Sequence, residues 1–196
     1  MPEWTYDEKE IRRSLAALDQ RSKVAFALSC AERLLPNYQA FVREQAWGNA
    51  ATLRNALDAA WAWLLGEGPS VDLAALKSAC EGEAPDTEDF DSLLVSPALD
   101  AANAAALVLG LILTGDGEKA AEVGFLARDT VDMYVQEIAR IPPNVADLEN
   151  RVRLHPLMQV EIARQSQDVR LLGGPWNEAD VRRSWFSPAT SNIGLG

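Results

Sequence analysis

The chain has 196 residues, 48% of them hydrophobic and 24% charged. That is enough for one domain with a buried core and too apolar for wholesale disorder. Lys+Arg number 18 against Asp+Glu 29, a net charge of −11, and an acidic surface of this kind is repelled by nucleic acid and by anionic lipid. No nucleic-acid or membrane partner is expected.

Helical spacing runs through nearly the whole chain. Thr5 followed by Glu8 reads as a capping box opening a first amphipathic helix to about Leu18. Asp19 or Ser22 starts the next, with Val24, Ala27, Leu28, Ala31 and Leu35 on one stripe. Pro36 is expected to break or kink it, and a further helix, roughly residues 37–46, ends near Gly48. Asn49 caps a longer helix with Leu53, Leu57, Ala60, Trp61 and Leu64 inward, stopped by Gly66 and Gly68. A short helix over residues 71–80 leads to the loop 81–87.

Ser96 and Pro97 read as N-cap and first residue of a helix over residues 97–113, apolar nearly all round and therefore central. Residues 114–117 connect it to a long helix reaching Arg140, with Ala120, Gly124, Ala127, Val131, Tyr134 and Ile138 inward. A short helix over residues 145–154 follows, and Pro156 opens another to Leu172. Asn177 caps a last amphipathic turn through Phe186, leaving an irregular tail over residues 187–196. No strand alternation or fixed-period repeat is present. The expected fold is all-α: one domain spanning residues 1–196, a bundle of roughly eight to ten amphipathic helices around the central apolar one.

Cys30 and Cys80 form no Cys-x-x-Cys pair, and the first residues carry neither a basic n-region nor an apolar h-region. The apolar run 104–113 falls short of the roughly 20 residues a bilayer requires. A cytoplasmic protein with reduced thiols is expected.

One set of residues carries a family likeness: Glu32-Arg33, Pro36-Asn37-Tyr38, Phe41, Gly48, Leu57-Asp58, Trp61, Pro85, Asp89-Phe90-Asp91, Val95, Pro97-Ala98, Asp100-Ala101 and, near the end, Ser191-Asn192-Ile193-Gly194. In these positions the chain resembles the YjaG-like bacterial family, domain-of-unknown-function family 416. The resemblance implies a compact, helical, cytoplasmic bacterial protein and no particular activity. It also implies that the segment 191–194 docks on the body.

Chemistry-bearing residues are few. Asp86, Glu88, Asp89 and Asp91 form an acidic cluster at a loop–helix junction, a setting that suits helix capping, a partner-facing patch or a hard cation, although the spacing is not an EF-hand. Asp58 follows Arg54 by four residues, a surface pair. Asp100 falls in the first turn after Pro97, where a carboxylate complements free N–H groups. Glu32, Arg33, Asp58 and Asp100 are candidates for one buried polar network, but Glu32 and Arg33 point about 100° apart on a helix. His155, the only histidine, reads as a junction residue, and no nucleophile elbow or phosphate loop is present, so no cofactor is expected. Glu161 and Asp168 interleave with C-terminal arginines and read as solvated helix faces. Trp63 lies about 200° around from Trp61. With Trp47, Trp176 and Trp185 it suggests a second apolar surface, buried in a homodimer.

Two functional readings follow. The first is a non-enzymatic module that binds a basic protein partner or itself through Trp63, Trp47 and the segment 86–91. The second is a metal- or small-ligand-binding hydrolase with Glu32, Asp58, Asp89, Asp91 and Asp100 around a pocket. Convergence of those carboxylates separates the two.

Overall fold

The computed structural model describes residues 7–68, 71–142, 144–177 and 191–195. It contains α1 (Glu8–Ala16), α2 (Gln20–Gln45), α3 (Ala50–Leu64), α4 (Leu73–Gly82), α5 (Val95–Thr114), α6 (Glu118–Ile138), α7 (Leu148–Arg153) and α8 (Pro156–Leu172), with no strand among the described residues. The helices pack around α5, which touches α2, α3, α4 and α6. By length and composition its 20 residues would cross a bilayer, yet most of them are buried inside the bundle. The expected last turn over 177–186 lies almost wholly outside the described residues.

Local chemistry explains the helix starts. Asp19, Asn49 and Asp72 each adopt an extended conformation and accept from backbone N–H groups of the first turn. His155 does the same for α8, where Pro156 loses nothing by lacking an N–H. At α1 the cap is Asp7, which accepts from Lys9 and Glu10, so Glu8 lies inside the first turn. α5 begins at Val95, before the expected Ser96–Pro97 pair, because Ser92 Oγ accepts from Leu94 N at 3.0 Å and turns the chain early. Pro97 still falls among the first N–H groups, which have no intrahelical partner. α7 is shorter than expected because turns at Val145 and Leu148 precede it.

Pro36 does not break α2, which runs unbroken for 26 residues. The proline removes a single backbone bond, whereas Leu34, Leu35, Asn37, Tyr38 and Phe41 around it are all buried. Packing of this kind outweighs local propensity. Ile138 is also corrected: it is 44% exposed, at the end of an α6 whose inward face is Ala120, Gly124, Ala127 and Val131.

Two polar ties hold the bundle. The first is Glu83, whose carboxylate accepts from Tyr38 Oη at 2.8 Å, Asn49 N at 2.8 Å and Thr52 Oγ1 at 3.1 Å, joining α2, α3 and the end of α4. Gly48 makes room for it. Its φ of +82° suits glycine, and a Cβ there would lie 2.4 Å from Tyr38 Oη.

The second tie is Arg33. Its guanidinium meets Glu161 twice, at 2.9 and 3.1 Å, Asp168 at 3.2 Å and Ser29 Oγ at 2.6 Å. Ser29 Oγ in turn lies 2.8 Å from Asp168, and Gln165 Nε2 donates to Glu161 and to the Gly124 carbonyl, both at 2.9 Å. Glu161 and Asp168 are therefore not solvated: they are 1% and 5% exposed. Glu161, Gln165 and Asp168 share one face of α8, four and three residues apart. Burial pushes the Glu161 carboxyl upward, but the adjacent Arg33 more than offsets this and holds it below its usual range. Burial opposes the Arg33 charge too, and the two carboxylates overcome it.

Against the same region of α2, residues 191–195 fold back as a turn. Asn192 N donates to the Arg33 carbonyl at 3.1 Å, its Nδ2 donates to the Ala127 carbonyl at 2.7 Å, and its Oδ1 accepts from Asn37 at 2.9 Å. Ile193 beside it is buried. The segment docks, as its family likeness implies.

Gly48→Ala should lower stability by about 1–3 kcal/mol, and by less in a Tyr38→Phe background; urea unfolding of the four chains of the cycle checks this. Arg33→Met strands two buried carboxylates and should cost about 3–5 kcal/mol. Much of that loss should return when Glu161→Gln and Asp168→Asn are added.

Candidate functional site

α5 is largely apolar, but the rest of the fold does not cover every side of it. Asp100, Asn103 and Leu107, spaced three and four residues apart, are only partly buried, and Leu113 beyond them is exposed. α4 and α6 each pack on α5 and flank this stripe, leaving a groove of about 570 Å³. Ala106 and Leu107 form its floor with Asn103, while Phe125 and Leu126 of α6 form an apolar wall. Its rims carry Glu81, Glu122 and Asp129, with Lys77 and Lys119 toward one end. The stems of those two lysines lie over Gly110, where an added Cβ would meet them at 3.4–3.6 Å. Lys77 pairs with Glu81, and Lys119 pairs with Asp116 at 2.6 Å.

A second groove of about 420 Å³ continues along the same seam. Ser96 and Pro97 form its floor, the segment 87–93 one wall, and Met133, Tyr134 and Glu137 of α6 the other. Leu93 and Met133 stand 58% and 49% exposed there. The segment is anchored by Phe90, whose ring lies 5.1 Å from Phe41 and 5.4 Å from Trp47, both edge-on.

Asp100 lies on α5 between Pro97, which lines the second groove, and Asn103, which lines the first, and itself lines neither. Thr130 Oγ1 lies 2.6 Å from its Oδ2 and 2.9 Å from the Leu126 carbonyl, so one hydroxyl proton serves both. Because α5 starts at Val95, Asp100 is past the helix's free N–H groups, and its expected first-turn role falls away. Burial raises its carboxyl to about 6; the Thr130 hydrogen bond opposes this and nearby Asp129 adds to it.

The remaining candidates lie apart. Glu32 receives both terminal nitrogens of Arg54 at 2.7 and 2.8 Å and the Trp61 indole at 2.7 Å. Arg54 also meets Asp58 at 2.9 Å, so these two acids share a cation on the outer face of α2 and α3. Arg33 points the other way, into α8, and Asp100 joins neither set. The single network of Glu32, Arg33, Asp58 and Asp100 does not form. Asp89 and Asp91 are exposed, and Asp91 lines the second groove. Asp86 accepts from Glu88 N at 3.0 Å, a turn-capping role. Among the described residues no three His, Cys, Asp or Glu side chains converge to hold a metal.

The tryptophans are largely absorbed. Trp63 and Trp47 pack partly buried against the core, and the Trp176 indole donates to Ser22 Oγ at 2.9 Å beneath the Arg21 guanidinium. Trp185 lies outside the described residues. Sequence reasoning missed Thr130, Phe125 and Met133. Met133 carried the one available signal, an apolar side chain off the inward stripe of α6.

A family model described as "Protein of unknown function (DUF416)" matches residues 10–196. The chain is 28% identical to the uncharacterised protein YjaG of Escherichia coli over 198 residues, covering 96% of this chain and 97% of that one. An uncharacterised protein of Haemophilus influenzae is 28% identical over 165 residues, 83% of this chain and 82% of the relative. The crystal structure of a DUF416 family protein from Shewanella baltica superposes with a TM-score of 0.86 at 27% identity, covering 98% of this chain and 99% of that chain.

Asp100 gives the site a pH signature. Its folded carboxyl titrates near 6, above an unfolded aspartate, so the folded state keeps a proton that the unfolded state has lost. Stability should therefore fall as pH rises from about 4 through 6. Asp100→Asn should be more stable than the wild type by about 1–2 kcal/mol near neutrality, with the gap closing toward pH 4. Urea midpoints of both chains across that range test it, and a gap independent of pH would mean that Asp100 titrates normally.

Proposed function

We propose that this chain, which belongs to the DUF416 family, is a non-enzymatic docking module that seats an amphipathic helix of a basic protein partner along the open face of α5. The observation that carries this reading is the partly open apolar surface of Leu107, Phe125 and Leu126 in a groove along an otherwise buried core helix. Free energy favours covering such a surface, and a helix laid between α4 and α6 covers it as a further member of the bundle. The shape is concave, so the occupant is convex and narrow.

Charge selects the kind of helix. Glu81 and Asp129 are answered by Lys77 and Arg128, and Arg12 and Arg128 lie over the Phe125 ring, which leaves Glu122 on the upper rim and Asp91 and Glu137 below it as the acids that face an occupant. Both lysines already have acidic partners. With a net charge of −11, the whole molecule steers a basic partner toward it. Asp91, in the wall of the second groove, then acts on such a partner. The homodimer expected from the tryptophans gains no support from Trp47 and Trp176, which are engaged inside the fold. The hydrolase reading loses its basis with the scatter of its carboxylates.

The test uses a fluorescent peptide of about 18 residues, long enough to span roughly 27 Å as a helix, with a leucine stripe flanked by lysines. Anisotropy should show binding that weakens about 10-fold or more on Leu107→Arg in the floor. It should be unchanged by Leu154→Arg, an exposed apolar site elsewhere. Equal weakening by both substitutions would sink the reading. So would a dimer in sedimentation that Leu107→Arg dissolves, which would make the occupant a second copy.

A further inference from the structure

Carboxylates drawn into this protein come with a cation or, like Glu83, with several donors. Glu161 and Asp168 have Arg33, and Glu32 has the fork of Arg54. Asp100 breaks the pattern. Its described hydrogen-bond partner is the Thr130 hydroxyl, shared with the Leu126 carbonyl, and the charged group acting on it is another acid, Asp129. Asp129 is itself held by Arg128 at 2.7 Å, on the same helix. A carboxylate removed from water with no opposing charge destabilises the fold, and groups of that kind in clefts concentrate where a ligand completes them. Asp100 lies on α5 between the linings of the two grooves, on the same face as Asn103 and Leu107, so a helix that spans both grooves crosses it.

We propose that Asp100 is the anchor for one cationic side chain, a lysine or arginine, carried in the middle of the docked helix's apolar face. This rests on the docking reading above and sharpens it: the partner's helix has an apolar stripe interrupted by a single central cation. The apolar floor beyond it supplies contact area, and Asp100 fixes register along the groove, since a shift by one turn would lay the cation against the neutral Asn103 or Pro97. Asn103, one turn along the same face, adds a neutral polar neighbour. A free metal ion is a poorer occupant, because a hard cation takes six or more oxygen ligands and, among the described residues, no third acidic group joins Asp100 and Asp129.

The anchor acts only when ionised. Burial keeps the carboxyl protonated up to about pH 6, with Asp129 of α6 the charged group facing it and none from α2, α3 or α4 acting on it among the described residues. Preference for a cationic helix therefore switches on as pH rises through that value.

The experiment compares two peptides of about 18 residues, each with a leucine stripe and glutamine elsewhere, differing only in a central lysine or glutamine. Near pH 7.5 the lysine peptide should bind about 10-fold more tightly than the glutamine peptide, equivalent to about 1.4 kcal/mol. The preference should vanish in Asp100→Asn, persist in Thr130→Val, which keeps the charge, and fade near pH 5. Thermal melts of both variants confirm that they are folded. Equal affinity of the two peptides, with Leu107→Arg still abolishing both, overturns the anchor and leaves the groove standing. A lysine preference retained in Asp100→Asn overturns the anchor as well. Binding of both peptides that ignores Leu107→Arg removes the docking reading and the anchor together.

Discussion

A guanidinium sealed from water forces its surroundings to answer it. Arg33 is drawn below the surface by the apolar residues on either side of it in α2, and at that depth its charge persists only with acids in contact. Glu161 and Asp168 meet that requirement, and they lie two turns apart on α8, so the requirement sets the depth, rotation and register of the whole helix. Gln165 between them reaches α6, and the Arg33 carbonyl receives Asn192. Replacing such a network by apolar groups of equal volume is often neutral in energy. What it contributes here is a single arrangement of α2, α6, α8 and residues 191–195.

Much of the fold was legible because it rests on local chemistry. Asn49 and Pro156 announce their helices by capping geometry that depends on the nearest residues alone. The failures share a cause. Pro36 is a helix breaker by its own chemistry, and what overrules it is burial contributed by distant helices. Glu161 and Asp168 sit among arginines in sequence and face another arginine in space. Nothing within α8 distinguishes a face turned to Arg33 from a face turned to water. Of the candidate site residues, Glu32, Arg33, Asp58 and Asp100 were recognisable as polar residues near apolar stripes. Their separation into three unconnected sets depends on which way α2 presents two adjacent side chains and on where α5 begins.

The groove was the least legible feature, because no single residue marks it. A helix that is apolar all round reads as wholly buried, yet α5 has one stripe that α4 and α6 border without covering. Asp100 sits within that stripe at some cost to the folded state near neutrality, its carboxyl raised to about 6 by burial. Sites that give up stability without a compensating internal charge are those where function and folding pull in different directions. The two buried thiols show no such tension: burial pushes Cys30 well up and Cys80 to about 12, which leaves both unreactive.

The span of chain between Arg33 and its partners also shapes how the protein is made. Glu161 and Asp168 follow it by 128 and 135 residues, and Asn192 follows Asn37 by 155. At about 5–20 residues per second, a ribosome takes on the order of ten seconds to supply those acids after Arg33 has emerged. Throughout that interval α2 is complete, but its central charge cannot be sealed in, and the surface meant for α8 stays wet. Closure of α8 and of residues 191–195 over α2 is thus postponed until translation is nearly finished.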